Sequence, residues 1–331
     1  MALSPIAPHR ECGWCDDPRL TQIVATTVAA VWQRFTDVKR DDLAITLVEP
    51  VSKTTRGASY RGDQTIYPAS LVKLFYLVAA HAWLDAGRLP PSKELDNALS
   101  AMIRESSNDA TNHVVDLLTR TTGGPALATA ALQRWLRRRQ AINRYFAGWR
   151  CPELAGINLT QKTWGEGPYG REWQSRFAVP NNGNRLTSDA VARLLSTIAQ
   201  GKAVSKRRSA AMLKLMARSI DVRSKAGVFD QVSGFLGQGL PPGALLWSKA
   251  GWTSTTRHDA AIVELPEGGR FILVACTTGV GPAQSRHLLP FIARRVVAEL
   301  RREGPRDQRI MQERSPHPHP GPPPSRGRGK D

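Results

Sequence analysis

The chain has 331 residues, 41% of them hydrophobic, with 46 Lys and Arg against 28 Asp and Glu for a formal net charge of +18. That is too apolar for a disordered polyelectrolyte and long enough to bury a full core. No apolar run approaches the roughly 18 residues of a membrane span, and Cys12, Cys15, Cys151 and Cys276 do not make a disulfide framework.

In chain order, the stretch to about Asp17 is polar, and Met1–Arg10 has no continuous apolar segment of the signal-peptide kind, so the chain reads as soluble and not exported. Cys12-Gly13-Trp14-Cys15 is a lone Cys-x-x-Cys with no second pair, so neither zinc nor redox chemistry is read from it and no cofactor is expected. Residues 1–19 form an N-terminal extension. The spacing predicts a helix over Leu20–Phe35, where Ile23, Val24, Thr27, Val28, Val31 and Trp32 share one stripe. Two strands follow, Leu43–Val48 and Gly57–Tyr60. Leu71–Trp83 is apolar nearly all round and reads as a buried helix. Further helices are predicted over Leu95–Ile103, Ala110–Leu118, Ala126–Phe146, Thr187–Gln200 and Gln284–Arg302, the fourth opened by the capping run Thr187-Ser188-Asp189. Ala244–Trp247 reads as a strand, and Asp259–Leu265 and Phe271–Cys276 as a hairpin across Pro266–Arg270, with Cys276 in the core. From Glu303 the His-Pro-His-Pro, Gly-Pro and Arg-rich tail has almost nothing to bury and reads as disordered. One domain over residues 20–302 with two tails is the expected organisation. The basic clusters around Arg134–Arg139, Lys206–Arg208 and Arg301-Arg302 lack any recognised nucleic-acid motif. They read as solvated helix faces, and no nucleic-acid partner is expected.

Three short motifs carry chemistry. Ser70-Leu71-Val72-Lys73 is the only Ser-x-x-Lys in the chain, at the start of the apolar helix. A lysine one turn beyond a serine faces the same side, and an amine in a desolvated pocket loses its proton readily enough to activate a hydroxyl that is a weak nucleophile alone. Ser106-Ser107-Asn108 is the only Ser-x-Asn and precedes the helix over Ala110–Leu118. Ser-Lys-Ala-Gly occurs twice, at Ser224–Gly227 and Ser248–Gly251; only the second is followed by a strand pair, so Lys249 is the favoured lysine.

In this order the three motifs resemble those of class A β-lactamases and the related penicillin-recognising serine hydrolases. The resemblance covers roughly residues 20–302. It implies an α/β (α+β sandwich) fold of the β-lactamase/transpeptidase-like kind, with an antiparallel sheet drawn from both chain ends and a helical lobe between. It further implies a catalytic set of Ser70, Lys73, Ser106 and Asn108, with Lys249, Gly251, Trp252 and Thr253 binding substrate and the backbone N–H groups of Ser70 and Trp252 as oxyanion hole. Ser107 stands where aspartate is usual. Arg257 and Thr255 are candidates for a substrate carboxylate, Arg257 equally for an exposed hairpin charge. Class A enzymes carry the base that frees the acyl-enzyme in Arg-x-Glu-Pro-x-Leu-Asn. Matched on Pro152-Glu153-Leu154, that glutamate's position holds Cys151 and the asparagine's holds Ala155. Glu153, Glu166, Glu172 or none of them is the base, the carboxylates reading first as surface-loop groups. The implied function is a serine hydrolase that forms an acyl-enzyme at Ser70 and hydrolyses a β-lactam or related amide. The alternative is a penicillin-binding D-Ala-D-Ala peptidase or esterase-like enzyme, or an acylating relative without efficient turnover. The implied partner is a small-molecule or cell-wall peptide substrate, met by a monomer.

Overall fold

In the computed structural model, residues 13–50, 55–165, 167–221 and 230–303 are described. The chain opens with β1 (Cys15–Asp16) and α1 (Pro18–Arg34), where Asp17 caps α1 by accepting from Arg19 and Leu20 N–H groups and Pro18 fills the first helical position. β2 (Leu43–Pro50) and β3 (Thr55–Tyr60) pair antiparallel, and β3 also pairs parallel with β1.

A tight 3-10 turn over Ala69–Leu71 then delivers α2 (Val72–Asp85), whose residues Val72–Trp83 are all buried. α3 (Lys93–Ser100), capped by Ser92, widens into a single π turn over Ala101–Glu105 that ends at Ser106 in the left-handed conformation. Such π turns break helices at functional positions. Ser107 caps α4 (Asn108–Thr119) through the Ala110 N–H.

The helix expected over Ala126–Phe146 is two, α5 (Thr129–Arg139) and α6 (Ala141–Ala147). They part at Gln140, where Asn143 turns to bond Gln140 and Asn158. Neither glycine nor proline marks that break. After α7 (Gly170–Phe177) come α8 (Ser188–Ala199), capped by Thr187, and α9 (Lys206–Met216). The chain then returns to the sheet as β4 (Ala217–Arg218), β5 (Leu245–Trp252), β6 (Thr256–Glu264) and β7 (Arg270–Thr278). The last predicted helix also divides, into α10 (Val280–Gln284) and α11 (Leu288–Glu303), because the Ser285 hydroxyl accepts the Leu288 N–H and restarts the spiral.

The strand order is β1-β3-β2-β7-β6-β5-β4. Residues before 61 and after 216 thus build one sheet, antiparallel but for β1–β3, and the helices between them form the lobe on one face. Alternation along the central strands feeds both sides. Ala44, Val48, Ile272 and Val274 pack with α2 and α8, while Ile45, Leu47, Leu273 and Ala275 pack with α1 and α11. Burial on both faces explains the long apolar runs of β2 and β7.

One expectation about charge is overturned. Arg139 is not on a solvated face: it is fully buried against Glu172 and near Asp116. Cys151 is disulfide-bonded, whereas Cys15 and Cys276 are free. Its cysteine partner, the N-terminal extension before Gly13, the tail from Gly304, Glu166 and the Ser224–Gly227 copy of the third motif lie outside the described residues. Among the described residues no helix is long and apolar enough to cross a membrane.

Candidate active site

Ser70 sits in the middle of the Ala69–Leu71 turn, held by the Leu71 N–H donating to Pro68 O at 3.0 Å. Ala69 adopts φ +44°, a strained conformation for a residue with a Cβ. β5 runs directly behind the turn. A Cβ at Gly251 would meet Ser70 N at 3.0 Å and Pro68 O at 3.3 Å, so only glycine lets the strand approach this closely. His258 pairs in register with Gly251. Its Nδ1 accepts the Thr277 N–H at 3.2 Å, which leaves Nε2–H to donate to Tyr67 O at 2.9 Å. The Ser70 turn is thereby pinned to the sheet.

One turn beyond Ser70, at the start of α2, Lys73 is completely buried and donates to Ser106 O, to Ser106 Oγ at 3.2 Å and to Asn108 Oδ1 at 2.8 Å. From the other side Lys249, also completely buried, donates to Ser106 Oγ at 3.0 Å, Gln231 Oε1 at 2.7 Å and Ala250 O at 2.6 Å. A hydroxyl has two lone pairs and one proton. With both lysines donating to it, Ser106 Oγ has its own proton left for Ser70 Oγ, 3.0 Å away. The left-handed turn at Ser106 (φ 59°) is what aims the side chain between the two cations.

Desolvation shifts both amines. It lowers Lys73 to about 7. Lys249 lies well below the ordinary ammonium range, first through burial and then through the charges of Lys73 and Arg218, with only Asp259 opposing. A buried amine near neutrality can take a proton and return it, and a cluster of cations facing no bonded carboxylate suits an anionic ligand group.

The other expected residues are placed as follows. Trp252 is half-exposed, its indole N–H donating to Ala283 O at 3.1 Å. The Thr253 hydroxyl closes the β5–β6 turn, lying 2.8 Å from Thr256 Oγ1 and accepting the Thr255 and Thr256 N–H groups. Arg257 is not an exposed hairpin charge. It is buried against Phe235 and Trp252 and donates to Ala283 O at 2.8 Å. Lys249, for its part, is no solvated strand-end lysine.

Glu153 and Glu172 are likewise not surface carboxylates. Glu153 is bonded to Arg193 on α8 at 2.7 Å. Glu172 is 1% exposed, bonded to Arg139 and 3.7 Å from Lys162, which itself bonds Asp116 at 2.6 Å. Desolvation raises the Glu172 carboxyl, with Arg139 and Lys162 opposing. These ions tie residues 161–177 to α4 and α5, helped by Asn112, whose amide pairs with both backbone groups of Thr163 at 3.1 and 2.9 Å. A cleft of about 270 Å³ opens between Tyr67 and this segment, lined by Trp164, Arg176 and Phe177 among others. Among the described residues no carboxylate bonds Ser70, Lys73, Ser106 or Asn108, and no group of three His, Cys, Asp or Glu is placed to hold a metal ion.

Sequence reasoning missed Gln231, Arg218 and His258. All three act through buried hydrogen bonds to backbone or to Lys249, and no spacing announces them; only His258, across the strand pair from Gly251, had a register signal.

A family model described as the beta-lactamase enzyme family matches residues 33–300. Among solved structures, PBP-A is similar at 19% identity and TM-score 0.59, over 87% of this chain and 98% of that one. A PBP-A mutant solved as its acyl-enzyme complex with penicillin G gives 19% and 0.59, over 88% and 98%. The beta-lactamase from Sphaerobacter thermophilus DSM 20745 gives 21% and 0.57, over 84% and 97%. These likenesses show a β-lactamase/transpeptidase-like fold. No curated protein matches the chain.

Proposed function

We propose, from the premise that this chain belongs to the beta-lactamase enzyme family, that it is a serine hydrolase whose Ser70 is acylated by β-lactams or related amides and releases the acyl group slowly. One observation carries this reading: two buried lysines converge on the Ser106 hydroxyl, which in turn reaches Ser70 Oγ.

Acylation follows from that geometry. As Ser70 Oγ bonds the substrate carbonyl carbon, the Ser106 hydroxyl turns to accept the Ser70 proton and passes its own to the lone pair of neutral Lys73. The carbonyl oxygen becomes an oxyanion, for which the Ser70 and Trp252 N–H groups are the donors. When the tetrahedral species collapses, the C–N bond breaks and Lys73 returns the proton through Ser106 to the leaving nitrogen. Lys249 holds the substrate's carboxylate, Asn108 orients the substrate's amide, and the cleft beside Tyr67 has room for an acyl substituent. General acid–base transfer of this kind contributes typically about 10²–10⁴-fold, and an oxyanion donor about 10²–10³-fold.

Slow release is favoured because Glu153 and Glu172 are spent in ion pairs with Arg193 and Arg139. This resembles a penicillin-binding enzyme more than an efficient β-lactamase, and it inverts the order of the two readings the sequence suggested. The test is the time course with a chromogenic cephalosporin. A burst near one equivalent followed by turnover slower than acylation is expected. Steady hydrolysis without a burst, abolished by Glu166→Gln, would overturn slow release and identify Glu166 as the base.

A further inference from the structure

Gln231 is 2% exposed, and its amide makes four hydrogen bonds. Oε1 accepts from Lys249 Nζ at 2.7 Å and from the Ala250 N–H at 3.1 Å. Nε2 donates to Ile103 O at 3.1 Å and Arg104 O at 2.8 Å. The amide cannot be turned over. Reversing it would set NH₂ against an ammonium and an N–H, and oxygen against two carbonyls.

The two ends of this amide therefore join the two motif segments. The carbonyls it bonds belong to the π turn that delivers Ser106, where Arg218 also donates to Ile103 O at 2.7 Å. The oxygen it presents takes one of the three donors of Lys249. Ala250 O takes the second, so the third is directed at Ser106 Oγ. The acceptor is also neutral. Lys249 faces Lys73 from α2, Arg218 from β4 and Asp259 from β6, and Asp259 is itself engaged by the Leu236 and Ala260 N–H groups. No carboxylate is bonded to the ammonium, so its charge is unspent when a ligand arrives.

We propose that Gln231 is a positioning residue for the proposed acylation site: its amide aims Lys249 at Ser106 and, by being uncharged, reserves the lysine's charge for the carboxylate of the substrate. The inference rests on the acyl-enzyme reading above and narrows its substrates to anionic ones. A carboxylate at this position would satisfy Lys249 internally, and an apolar side chain would leave its donor unmet.

The test uses full-length protein in two variants, Gln231→Glu and Gln231→Met, each checked by thermal melting. In lysine ¹⁵N NMR, with Lys249 assigned by its loss in Lys249→Arg, the titration midpoint of Lys249 is expected to rise by at least one pH unit in Gln231→Glu and to fall in Gln231→Met. Should Gln231→Glu not fold, the direction in Gln231→Met decides. An unmoved midpoint in a folded variant overturns the proposal. In parallel, Gln231→Glu is expected to slow acylation by benzylpenicillin at least tenfold more than acylation by its methyl ester. Equal losses on the two compounds would reduce Gln231 to a structural residue and overturn the proposal. If the unmodified protein is acylated by neither, the acyl-enzyme reading fails, and the NMR titration alone decides the placement of Lys249 by Gln231.

Discussion

Gly251→Ala isolates one contact between the sheet and the Ser70 turn. The added methyl would lie 3.0 Å from Ser70 N and 3.3 Å from both Pro68 O and Ala69 Cβ. Carbon contacts are optimal at about 3.5–4.0 Å, so strand and turn must separate by about half an ångström or the methyl covers the Ser70 N–H. Separation is resisted on both sides. β5 is paired with β6 along its whole length, and the turn carries the strained Ala69. Covering one of two oxyanion donors removes about 3 kcal/mol of transition-state stabilisation, or roughly 10²-fold in rate. Stability should change far less, because Gly251 does not occupy the left-handed region and alanine restricts the unfolded chain. The assay is the second-order acylation rate constant with benzylpenicillin beside a thermal melt. A rate within about threefold of the parent, with an unchanged melt, would show that the Ser70 N–H is not an oxyanion donor and would refute the reasoning.

Because desolvation brings Lys73 to about 7, its neutral fraction grows as pH rises through that value. Acylation should therefore climb from pH 6 to 8, and a flat profile would remove Lys73 as the base. Lys73→Arg, which stays charged, should lower acylation by about 10²–10⁴-fold at every pH. Glu172→Ala leaves Arg139 buried without its bonded carboxylate and should cost about 3–5 kcal/mol of folding free energy, read by urea denaturation. An effect under about 1 kcal/mol would mean that water reaches the pair. His258→Leu strands the Tyr67 carbonyl and the Thr277 N–H and should destabilise by roughly 1–3 kcal/mol for each, on the same assay.

The parts of the fold legible in the sequence are those set by periodicity and local capping. The α1 stripe, the all-round apolar α2, the Thr187 cap of α8 and the β6–β7 hairpin all follow from the spacing of apolar residues or from turn chemistry within a few positions. The motif serines and lysines were legible for the same reason, since their spacing on α2 and at the head of α4 is local. What was not legible depends on partners distant in sequence. Arg139 looks like its neighbours Arg137 and Arg138 until Glu172, 33 residues on, draws it inward. Arg257 has the composition of an exposed hairpin charge, yet the Ala283 carbonyl and the rings of Phe235 and Trp252 hold it inside. Gln231 meets Lys249 only because the folded chain sets it between β5 and the π turn, bonding both, a fact of topology with no counterpart in spacing.

The central claim is that Ser70 is the group acylated. Intact-mass spectrometry of the protein incubated with benzylpenicillin, with Ser70→Ala beside it and peptide mapping of any adduct, tests this most directly. The expected result is a single penicilloyl adduct on the peptide containing Ser70, persisting over minutes and absent in the variant. An adduct that survives Ser70→Ala, or none at all on a folded parent protein that also leaves D-Ala peptides and esters untouched, would contradict it.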